Sequence, residues 1–373
     1  MKIGIDISQV VYEGTGVSRF TKGLINTILK YDRNNEWVFF FSSLRRSLQP
    51  EIKDAISKKH YSLVKRKFPP KLLAGLFIKI GFNVESINKS LDWFITSDWA
   101  EIPSLKTKKA TIVHDLVYLR FPSLVEKTIK NTQIDRLNRV KNESSLIFAD
   151  SESTKNDLME LLKIDKKKIT VNYPGVDVKK PSNDQIKRTL VKYKFNKPFI
   201  LTVGKIEPRK NLSRLLDAYK QLKNVEAELL IVGAKGWDSK DVSINRLINT
   251  EKGSKKIRFL GFVEDNELYS LYASCLFFVY PSIWEGFGYP VVEAMKLGIP
   301  VATSSTSSLM EIAKDAALLF NPFNVEEIKN AIIKLINDEK LKRALVNKAY
   351  VQVEKYTWKN YYDKMMATLA KYK

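Results

Sequence analysis

Three cations lie within six residues of one another in the segment 203–211: Lys205, Arg209 and Lys210. The segment follows a strand-like run and leads into an amphipathic helix. Cations at a helix N-terminus oppose the helix dipole, so nothing structural favours them there. A bound anion would remove this conflict, whereas a solvated run of charges is the alternative interpretation. The spacing predicts a phosphate-binding loop.

Two glutamates flank a glycine-rich helix start in residues 280–295. Glu285 precedes the predicted helix, and Glu293 lies about one turn inside it. Pro290 and the preceding glycines leave amides that point out of the helix start and can bind an anion. The two carboxylates suit different hydroxyl groups of one elongated ligand. A glycosidase also uses two carboxylates, but it has no use for the lysines of segment 203–211 in the same crevice.

Two further positions follow predicted strands in the first half. His114 ends a strand beside Asp115, where an imidazole can bind a hydroxyl or phosphate, or transfer a proton. A histidine satisfied by its own backbone is the alternative. Gly14 and Gly16 occupy a strand-to-helix turn, where the backbone can approach an anion, although a plain tight turn fits equally well. The other histidine, His60, is predicted to lie at the surface.

Metal-ligating groups are scarce. The chain has two histidines and one cysteine, and it contains no Asp-x-Asp pair, so no nitrogen or sulfur cluster and no pair of close aspartates is available. We therefore expect no metal and no other cofactor, with phosphate charge neutralised by lysine, arginine and helix dipoles. Cys275 is expected to be a buried thiol because it lies in an apolar stretch.

The elements that must position these residues alternate between strands and helices. Apolar, β-branched runs separated by helical patterns are typical of parallel sheets buried on both faces. Ligands of such sheets bind beyond the carboxyl ends of the strands, where all these segments lie. The predicted strands are 2–7, 37–41, 93–96, 111–114 and 146–149 in the first half, and 199–203, 228–232, 257–260, 276–280 and 300–303 in the second.

Proline and glycine near residues 174–183 interrupt the pattern and indicate a domain boundary. We predict a first domain over residues 1–184, a second domain over residues 185–356 and a final docked helix over residues 357–373.

Composition narrows the functional class. The 373 residues are 44% hydrophobic and 28% charged, and the net charge of +22 favours anionic partners. No apolar run reaches the ~20 residues of a membrane span, and no secretory leader is recognisable, so a cytoplasmic location is expected. A nucleic-acid binder would need a basic stripe with stacking aromatics, which the sequence lacks; no nucleic acid is expected.

Together, these motifs resemble the retaining glycosyltransferases of family 4. The resemblance covers nearly the whole chain and implies an α/β GT-B fold, in which two Rossmann-like doubly wound domains face each other across a cleft. It implies that residues 1–184 bind the acceptor and residues 185–356 bind the nucleotide sugar. The final helix, residues 357–373, would cross back to the N-terminal domain. Its most specific part is the E-x7-E pattern of Glu285 and Glu293, followed by segments 204–211 and 307–312. Weaker matches are Gly14, Gly16, His114, Asp115, residues 149–151 and residues 174–177.

The resemblance also assigns roles to single residues. The positions expected to bind the nucleotide-sugar donor are Gly16, Lys205, Arg209, Lys210, Phe287, Gly288 and Glu293. Lys205 and Lys210 would hold the diphosphate, and Glu293 would bind the ribose hydroxyls. His114 and Glu285 are the expected catalytic residues, lying against the transferred sugar. Enzymes of this family are metal-independent and retain the anomeric configuration.

Segments 113–116, 119–122 and 207–211 resemble most the mannosyltransferase-like branch used in bacterial polysaccharide biosynthesis. We therefore expect a hexosyltransferase that moves mannose from GDP-mannose onto a lipid-linked glycan or polysaccharide acceptor. A UDP-sugar-dependent glucosyl-, galactosyl- or GlcNAc-transferase stays open. So does a non-transferase enzyme of the same fold, such as a nucleotide-sugar epimerase or a phosphorylase.

Residues 53–79 carry eight basic side chains and a single acid. Basic amphipathic segments bind anionic membrane surfaces, whereas a core helix with a solvated lysine face is the alternative. We predict a peripheral position on the inner face of the membrane. The residues assigned to membrane or acceptor contact are Lys65, Arg66, Lys67, Lys71 and Lys79.

Overall fold

The computed structural model describes residues 1–67, 81–98, 101–223, 225–234, 236 and 256–372. They form two compact α/β units. Unit 1 comprises Met1–Pro122, Lys127–Gly175 and Tyr356–Lys373, and unit 2 comprises Ser123–Glu126 and Val176–Lys355.

Unit 1 is built on a parallel sheet. Its strands are β1 (Lys2–Asp6), β2 (Glu36–Ser42), β3 (Ser62–Arg66), β4 (Trp93–Ser97), β5 (Lys108–Val113), β6 (Leu146–Ala149) and β7 (Ile169–Val171). They pair in the order β3-β2-β1-β4-β5-β6-β7. The central strands are buried on both faces because helices cover the sheet, which explains their continuous apolar sequences.

The helices of this unit begin after the strands that carry the candidate residues. They are α1 (Gly16–Tyr31), α2 (Pro50–Lys58), α3 (Val117–Arg120), α4 (Lys127–Glu143) and α5 (Glu152–Leu162). The Thr15 hydroxyl caps α1 by accepting the N–H of Ser18 at 3.2 Å, and Ser151 caps α5 through the N–H of Thr154 at 3.0 Å.

Unit 2 repeats the architecture. Its strands are β8 (Phe199–Val203), β9 (Glu228–Val232), β10 (Ile257–Gly261), β11 (Phe278–Tyr280), β12 (Val301–Ser304) and β13 (Leu318–Phe320). They pair in parallel in the order β10-β9-β8-β11-β12-β13. Both sheets therefore have the strand order of a doubly wound Rossmann fold, and the predicted fold class is confirmed.

The helices of unit 2 cover this second sheet. They are α6 (Asn183–Lys192), α7 (Leu212–Lys220), α8 (Asp265–Ser274), α9 (Tyr289–Lys296), α10 (Ser307–Ala313), α11 (Val325–Asn337) and α12 (Glu339–Val353). The last helix of the chain, α13 (Trp358–Lys371), belongs to unit 1. There Asn172 donates its side-chain N–H to Tyr361 O at 3.0 Å.

All ten predicted strands are present; three have the predicted bounds, and the bounds of the others are shifted by at most three residues. The sequence analysis missed β3, β7 and β13. Each of them lies at the edge of its sheet, and β7 and β13 have only three residues each. Short edge strands contribute little apolar pattern, so they escape detection by periodicity.

The boundary between the units falls after Gly175 rather than after residue 184. The linker is tied to unit 2 from its first residues onward. Lys296 donates to the carbonyl of Val176 at 2.7 Å, and the Tyr269 hydroxyl donates to that of Asp177 at 3.3 Å. Residues 176–184, which the sequence analysis placed in the first domain, are therefore the opening segment of unit 2.

Among the described residues, no helix is long and apolar enough to cross a bilayer.

Candidate active site

The two candidate segments of unit 2 lie side by side at the carboxyl ends of β8 and β11. The N–H of Ile283 donates to the carbonyl of Arg209 at 2.8 Å, and the Ser282 Oγ lies 3.1 Å from the same oxygen. The Asn211 side chain donates to Pro281 O at 3.1 Å. These bonds hold the cation-bearing loop against the loop that carries the first glutamate.

Glu285 is the centre of a buried ion cluster. One carboxylate oxygen, Oε1, lies 2.5 Å from Lys210 Nζ and accepts hydroxyl hydrogens from Tyr280 at 2.8 Å and Ser282 at 2.6 Å. The other oxygen, Oε2, lies 2.7 Å from Arg209 Nη1. The side chain is only 10% exposed. The structure thus brings together Glu285, Arg209 and Lys210, three of the predicted site residues.

The cluster shifts the protonation of its members. Burial alone raises the pKa of Glu285, but Arg209 and Lys210 outweigh it and hold the pKa far below its ordinary value. Burial, together with the charge of Arg209, lowers the pKa of Lys210 despite the neighbouring carboxylate. Burial raises the pKa of Tyr280 well above its usual value, so its hydroxyl stays protonated. Glu285 is therefore an acceptor-only carboxylate at neutral pH.

The start of α9 shows why glycine precedes it. Gly288 has a φ of +99°, a conformation that side chains disfavour. A Cβ there would also lie 2.6 Å from Leu309 Cδ2. The Ser308 hydroxyl shares its one hydrogen between the carbonyl oxygens of Glu285 and Phe287, which lie 2.9 and 3.0 Å from Oγ. The start of α10 thereby holds the turn that contains Phe287 and Gly288, directly before α9.

The other two predicted donor residues of unit 2 differ in burial. Glu293 lies in the second turn of α9 and is 1% exposed. Lys205 is exposed, two residues before the buried Glu207. Glu207 pairs with Arg209 Nε at 2.6 Å. Arg209 therefore bridges two carboxylates, while Lys205 extends towards solvent.

Side chains of unit 1 contact the His114 imidazole on several sides. It follows β5 directly, and its Nδ1 lies 2.7 Å from Asp150 Oδ2. Its Nε2 lies 3.1 Å from the Ser97 hydroxyl. The Phe20 ring meets the imidazole edge-on, with 4.7 Å between ring centroids. The alternative that the ring is satisfied by its own backbone is therefore wrong.

Gly16 begins α1, directly after the capping residue Thr15. A Cβ at Gly16 would have no heavy atom within 4 Å. The residue is exposed, so the backbone at the start of this sixteen-residue helix is open to solvent.

Three of the five basic residues predicted to contact the membrane or the acceptor lie within the part of the chain that the structure describes. Lys65 and Arg66 are exposed at the end of edge strand β3, and Lys67 follows them, also exposed. The basic segment 53–79 therefore begins in α2 and continues into β3, a strand that the sequence analysis did not predict. The other two predicted membrane residues, Lys71 and Lys79, lie outside the described residues.

Comparison with known proteins matches residues 184–352 to the family "Glycosyl transferases group 1". The match contains the whole ion cluster and α9. The chain therefore carries a glycosyl transferases group 1 domain over these residues. The predicted resemblance is confirmed.

Relatives and solved structures extend the likeness over the chain. The O-antigen chain mannosyltransferase B of Escherichia coli is 27% identical over 96% of this chain and 97% of its own. The serotype-specific mannosyltransferase WbdA of the same species is 31% identical over 68% of this chain, but only 32% of its own length is covered. Anabaena HepE, solved with UDP and glucose, superposes with a TM-score of 0.75 at 18% identity, covering 100% of both chains.

Several contacts of this glycosyltransferase escaped the sequence analysis. Asp115 is adjacent to His114 in sequence, but its carboxylate accepts the backbone N–H of Val117 at 3.2 Å. The carboxylate that pairs with the imidazole is Asp150, at the end of the neighbouring strand. The register could have revealed it, because Val113 and Ala149 are partners across β5 and β6.

The ion cluster of this group 1 glycosyltransferase has a chemistry suited to phosphorylated sugars. Arginine and lysine N–H groups that bind a carboxylate can equally bind phosphate oxygens through charge-assisted bonds. The Glu285 carboxylate can accept a sugar hydroxyl. Among the described residues, no group of three histidine, cysteine or acidic side chains could hold a metal ion. Metal independence stays a prediction.

Proposed function

We propose that this glycosyltransferase transfers mannose from GDP-mannose to a lipid-linked glycan or polysaccharide acceptor in cell-surface glycan assembly. The observation that carries the proposal is the convergence of Arg209 and Lys210 on Glu285 within the group 1 domain. The mannosyl donor is supported by the relatives, which are named as O-antigen and serotype-specific mannosyltransferases. The likeness to HepE, at 18% identity, supports only the fold.

In this proposal the donor diphosphate is held by Lys210 and Arg209, with Lys205 closing over it from the solvent side. The amides of Phe287 and Gly288 add hydrogen bonds at the start of α9. Negative charge is neutralised by these groups and not by a metal ion. In this proposal Glu293 binds the ribose hydroxyls. A buried carboxylate needs hydrogen-bond donors in place of water, and the two ribose hydroxyls are such donors.

Transfer proceeds with retention of configuration. The bond between the anomeric carbon and the diphosphate oxygen breaks, and a bond to the acceptor oxygen forms on the same face. The acceptor proton passes to the departing phosphate, and the products are GDP and the extended glycan. Glu285 binds a hydroxyl of the transferred sugar. His114 contacts the sugar near the reacting carbon, and Gly16 faces the donor phosphate.

A thermal-shift panel tests the donor. GDP, UDP and ADP and their sugar conjugates are added with and without EDTA. A ligand at 100 times its Kd stabilises by about 2.7 kcal/mol. We expect the largest shift for GDP and GDP-mannose, unchanged by EDTA. A larger shift for UDP compounds would replace the donor assignment, and no shift with any nucleotide would refute nucleotide-sugar binding.

A matched pair of lysine variants tests the cluster. Lys210→Met should abolish most of the nucleotide shift, because it removes a charge-assisted phosphate contact worth about 1.5–3 kcal/mol. Lys197→Met removes an exposed cation of the same unit and should leave the shift intact. Equal nucleotide shifts in the two variants would contradict the phosphate role of Lys210.

Product analysis separates the transferase from the alternative enzymes. Donor alone should stay intact, apart from slow hydrolysis, and transfer should require acceptor. Release of an epimerised nucleotide sugar or of a sugar phosphate would favour an epimerase or a phosphorylase. The anomeric configuration of the product, read by NMR, tests retention.

The proposal includes a peripheral position on the inner face of the membrane. The exposed cations Lys65, Arg66 and Lys67 support it, since each basic residue near an anionic surface contributes about 1 kcal/mol. Replacing all three with glutamine should weaken cosedimentation with vesicles containing acidic phospholipid. Wild-type protein that ignores such vesicles at moderate salt would refute membrane docking.

A further inference from the structure

We propose that Asp150 is a positioning residue that locks the His114 imidazole with its proton on Nδ1 and its Nε2 directed at Ser97. The proposal rests on the transferase function given above, because it is through His114 that Asp150 would act on transfer. Its structural part, the state of the imidazole, can be measured without any substrate.

The sheet register places the two residues together. Val113 and Ala149 are partners across β5 and β6, so His114 and Asp150 both leave the sheet at the same level. The distance between Nδ1 and Oδ2 is 2.7 Å. The Asp150 side chain is 3% exposed and that of His114 is 16% exposed. The pair is therefore shielded from solvent, and the two side chains contact each other directly.

The surroundings fix the ring on its other sides. The Ser97 hydroxyl lies 3.1 Å from Nε2, and Phe20 contacts the ring edge-on. The Thr154 hydroxyl donates to the backbone carbonyl of His114 at 3.0 Å. Ring rotation would break both imidazole contacts at once, so the orientation is set by the fold and precedes ligand binding.

The chemistry of the partners sets the tautomer. An ionised carboxylate can only accept, so the nitrogen that faces Asp150 carries the proton. In the neutral ring Nε2 is then an acceptor for the hydroxyl of Ser97 or of a ligand. In the imidazolium both nitrogens donate. A ligand hydroxyl or phosphate therefore meets a nitrogen whose direction is already fixed.

The charged neighbours favour the imidazolium. Burial alone lowers the pKa of His114, but the Asp150 carboxylate outweighs it, with a further contribution from Asp98 and an opposing one from Arg136. The net direction is upward. Burial also raises the pKa of Asp150, with further contributions from Asp115 and Asp98, and the imidazole offsets this rise only in part. Tyr361 also faces this carboxylate, so Asp150 has its strongest stabilising partner in His114.

The chain is well suited to a direct test, because it has only two histidines. The His60→Gln variant removes the exposed second imidazole, so the remaining ¹⁵N imidazole signals belong to His114. A pH titration of these signals reports the tautomer of the neutral ring and its apparent pKa. We expect protonated Nδ1 in the neutral ring.

Asp150→Asn, made in the His60→Gln background, should lower the apparent pKa of His114, because burial remains when the carboxylate charge is removed. Ser97→Ala is the matched control on the other nitrogen. It should change the Nε2 signal and leave Nδ1 protonated. A folded Asp150→Asn protein with an unchanged His114 titration would overturn the proposal. If this variant fails to fold, the wild-type spectrum still decides, since a neutral ring protonated on Nε2 also overturns it.

The consequence for transfer is measured separately. A misdirected catalytic group costs up to roughly 100-fold in rate, so Asp150→Asn should lower kcat by between about 10- and 100-fold with little change in donor KM. Asp150→Glu should recover part of the rate. A loss of kcat without a change in the His114 signals would overturn the positioning role. If the wild type transfers no sugar but shows the Nδ1 tautomer, the proposed function fails and the structural assignment stands.

Discussion

The indole of Trp358 occupies the space that a side chain at Gly175 would need. A Cβ at Gly175 would lie 2.3 Å from Trp358 Cγ, and one at Gly23 would lie 2.1 Å from Trp358 Cζ2. Gly175 is the last residue before the chain leaves unit 1, and Tyr356 is the first after it returns. The two glycines therefore accommodate the side chain that seats α13 on unit 1.

Gly23→Ala should destabilise the protein by about 1–3 kcal/mol, because an added methyl group would overlap the Trp358 ring. In an unobstructed helix the same change stabilises by roughly 0.5–1 kcal/mol, so the sign itself is diagnostic. Gly16→Ala, in the same helix, is the control, since its Cβ meets no atom within 4 Å. Urea unfolding of both variants measures the difference, and equal midpoints would contradict the packing.

The positions of ten strands could be predicted from the sequence because buried strands have continuous apolar runs. The ion cluster could be predicted from the sequence only in part. The chemistry of Lys210 and Glu285 could be read separately, but their pairing spans 75 residues and depends on how the loops after β8 and β11 meet. Likewise, the sequence suggested Asp115 as the neighbour of His114, whereas sheet register selects Asp150.

Glu285→Gln should destabilise unit 2 by about 3–5 kcal/mol, the cost of breaking a buried ion pair and leaving cations behind. Arg209 and Lys210 both lose their shared carboxylate. Glu326→Gln is a suitable control, because it removes a largely exposed carboxylate that pairs with Lys329 and should cost less than about 1 kcal/mol. Chemical unfolding measures both changes.

The stability that Glu285 contributes should also depend on pH. Its pKa is depressed in the folded protein, so the contribution is fully present above the unfolded pKa of about 4.3. It declines as the pH falls below that value, because the folded state then resists protonation. The gap in unfolding free energy between wild type and Glu285→Gln should therefore narrow in acid. A gap that widened with acidification would refute the ion cluster.

Glu85 should show the same dependence through hydrogen bonds from backbone N–H groups. Its carboxylate accepts the N–H groups of Leu105, Lys106 and Thr107 at 3.1, 3.0 and 2.9 Å. Burial raises its pKa, but these bonds outweigh it and lower the pKa from 4.5 to about 2. The stabilisation is present above pH 4.5 and is lost as the pH falls towards 2.

Glu85→Gln should cost about 1.5–3 kcal/mol at neutral pH, in the range of hydrogen bonds to a charged group. Hydrogen exchange of the amides of residues 105–107 should accelerate with it. Glu126→Gln removes an exposed carboxylate and serves as the control, with an expected change within about 0.5 kcal/mol. Unchanged exchange in the Glu85 variant would show that these bonds do not hold the turn.

Lys109 pairs with one buried glutamate and one partly exposed glutamate, so it tests how burial changes the contribution of an ion pair to stability. Its Nζ lies 3.2 Å from Glu101 Oε2 and 2.9 Å from Glu143 Oε2. The Glu101 side chain is 0% exposed, whereas that of Glu143 is 36% exposed. Coulomb attraction by distance alone would rank Glu143 first. Desolvation reverses the order, because a buried cation that loses its buried partner cannot turn to water.

Glu101→Gln should therefore destabilise unit 1 by about 3–5 kcal/mol, while Glu143→Gln should cost at most about 1 kcal/mol. Both substitutions remove one charge from the same lysine. Glu101 also pairs with Arg136 Nε at 3.4 Å, and the loss of this second buried pair adds to its cost. Urea unfolding at neutral pH measures the two losses. Similar costs would mean that water reaches Lys109 in solution and that burial does not set the strength of this pair.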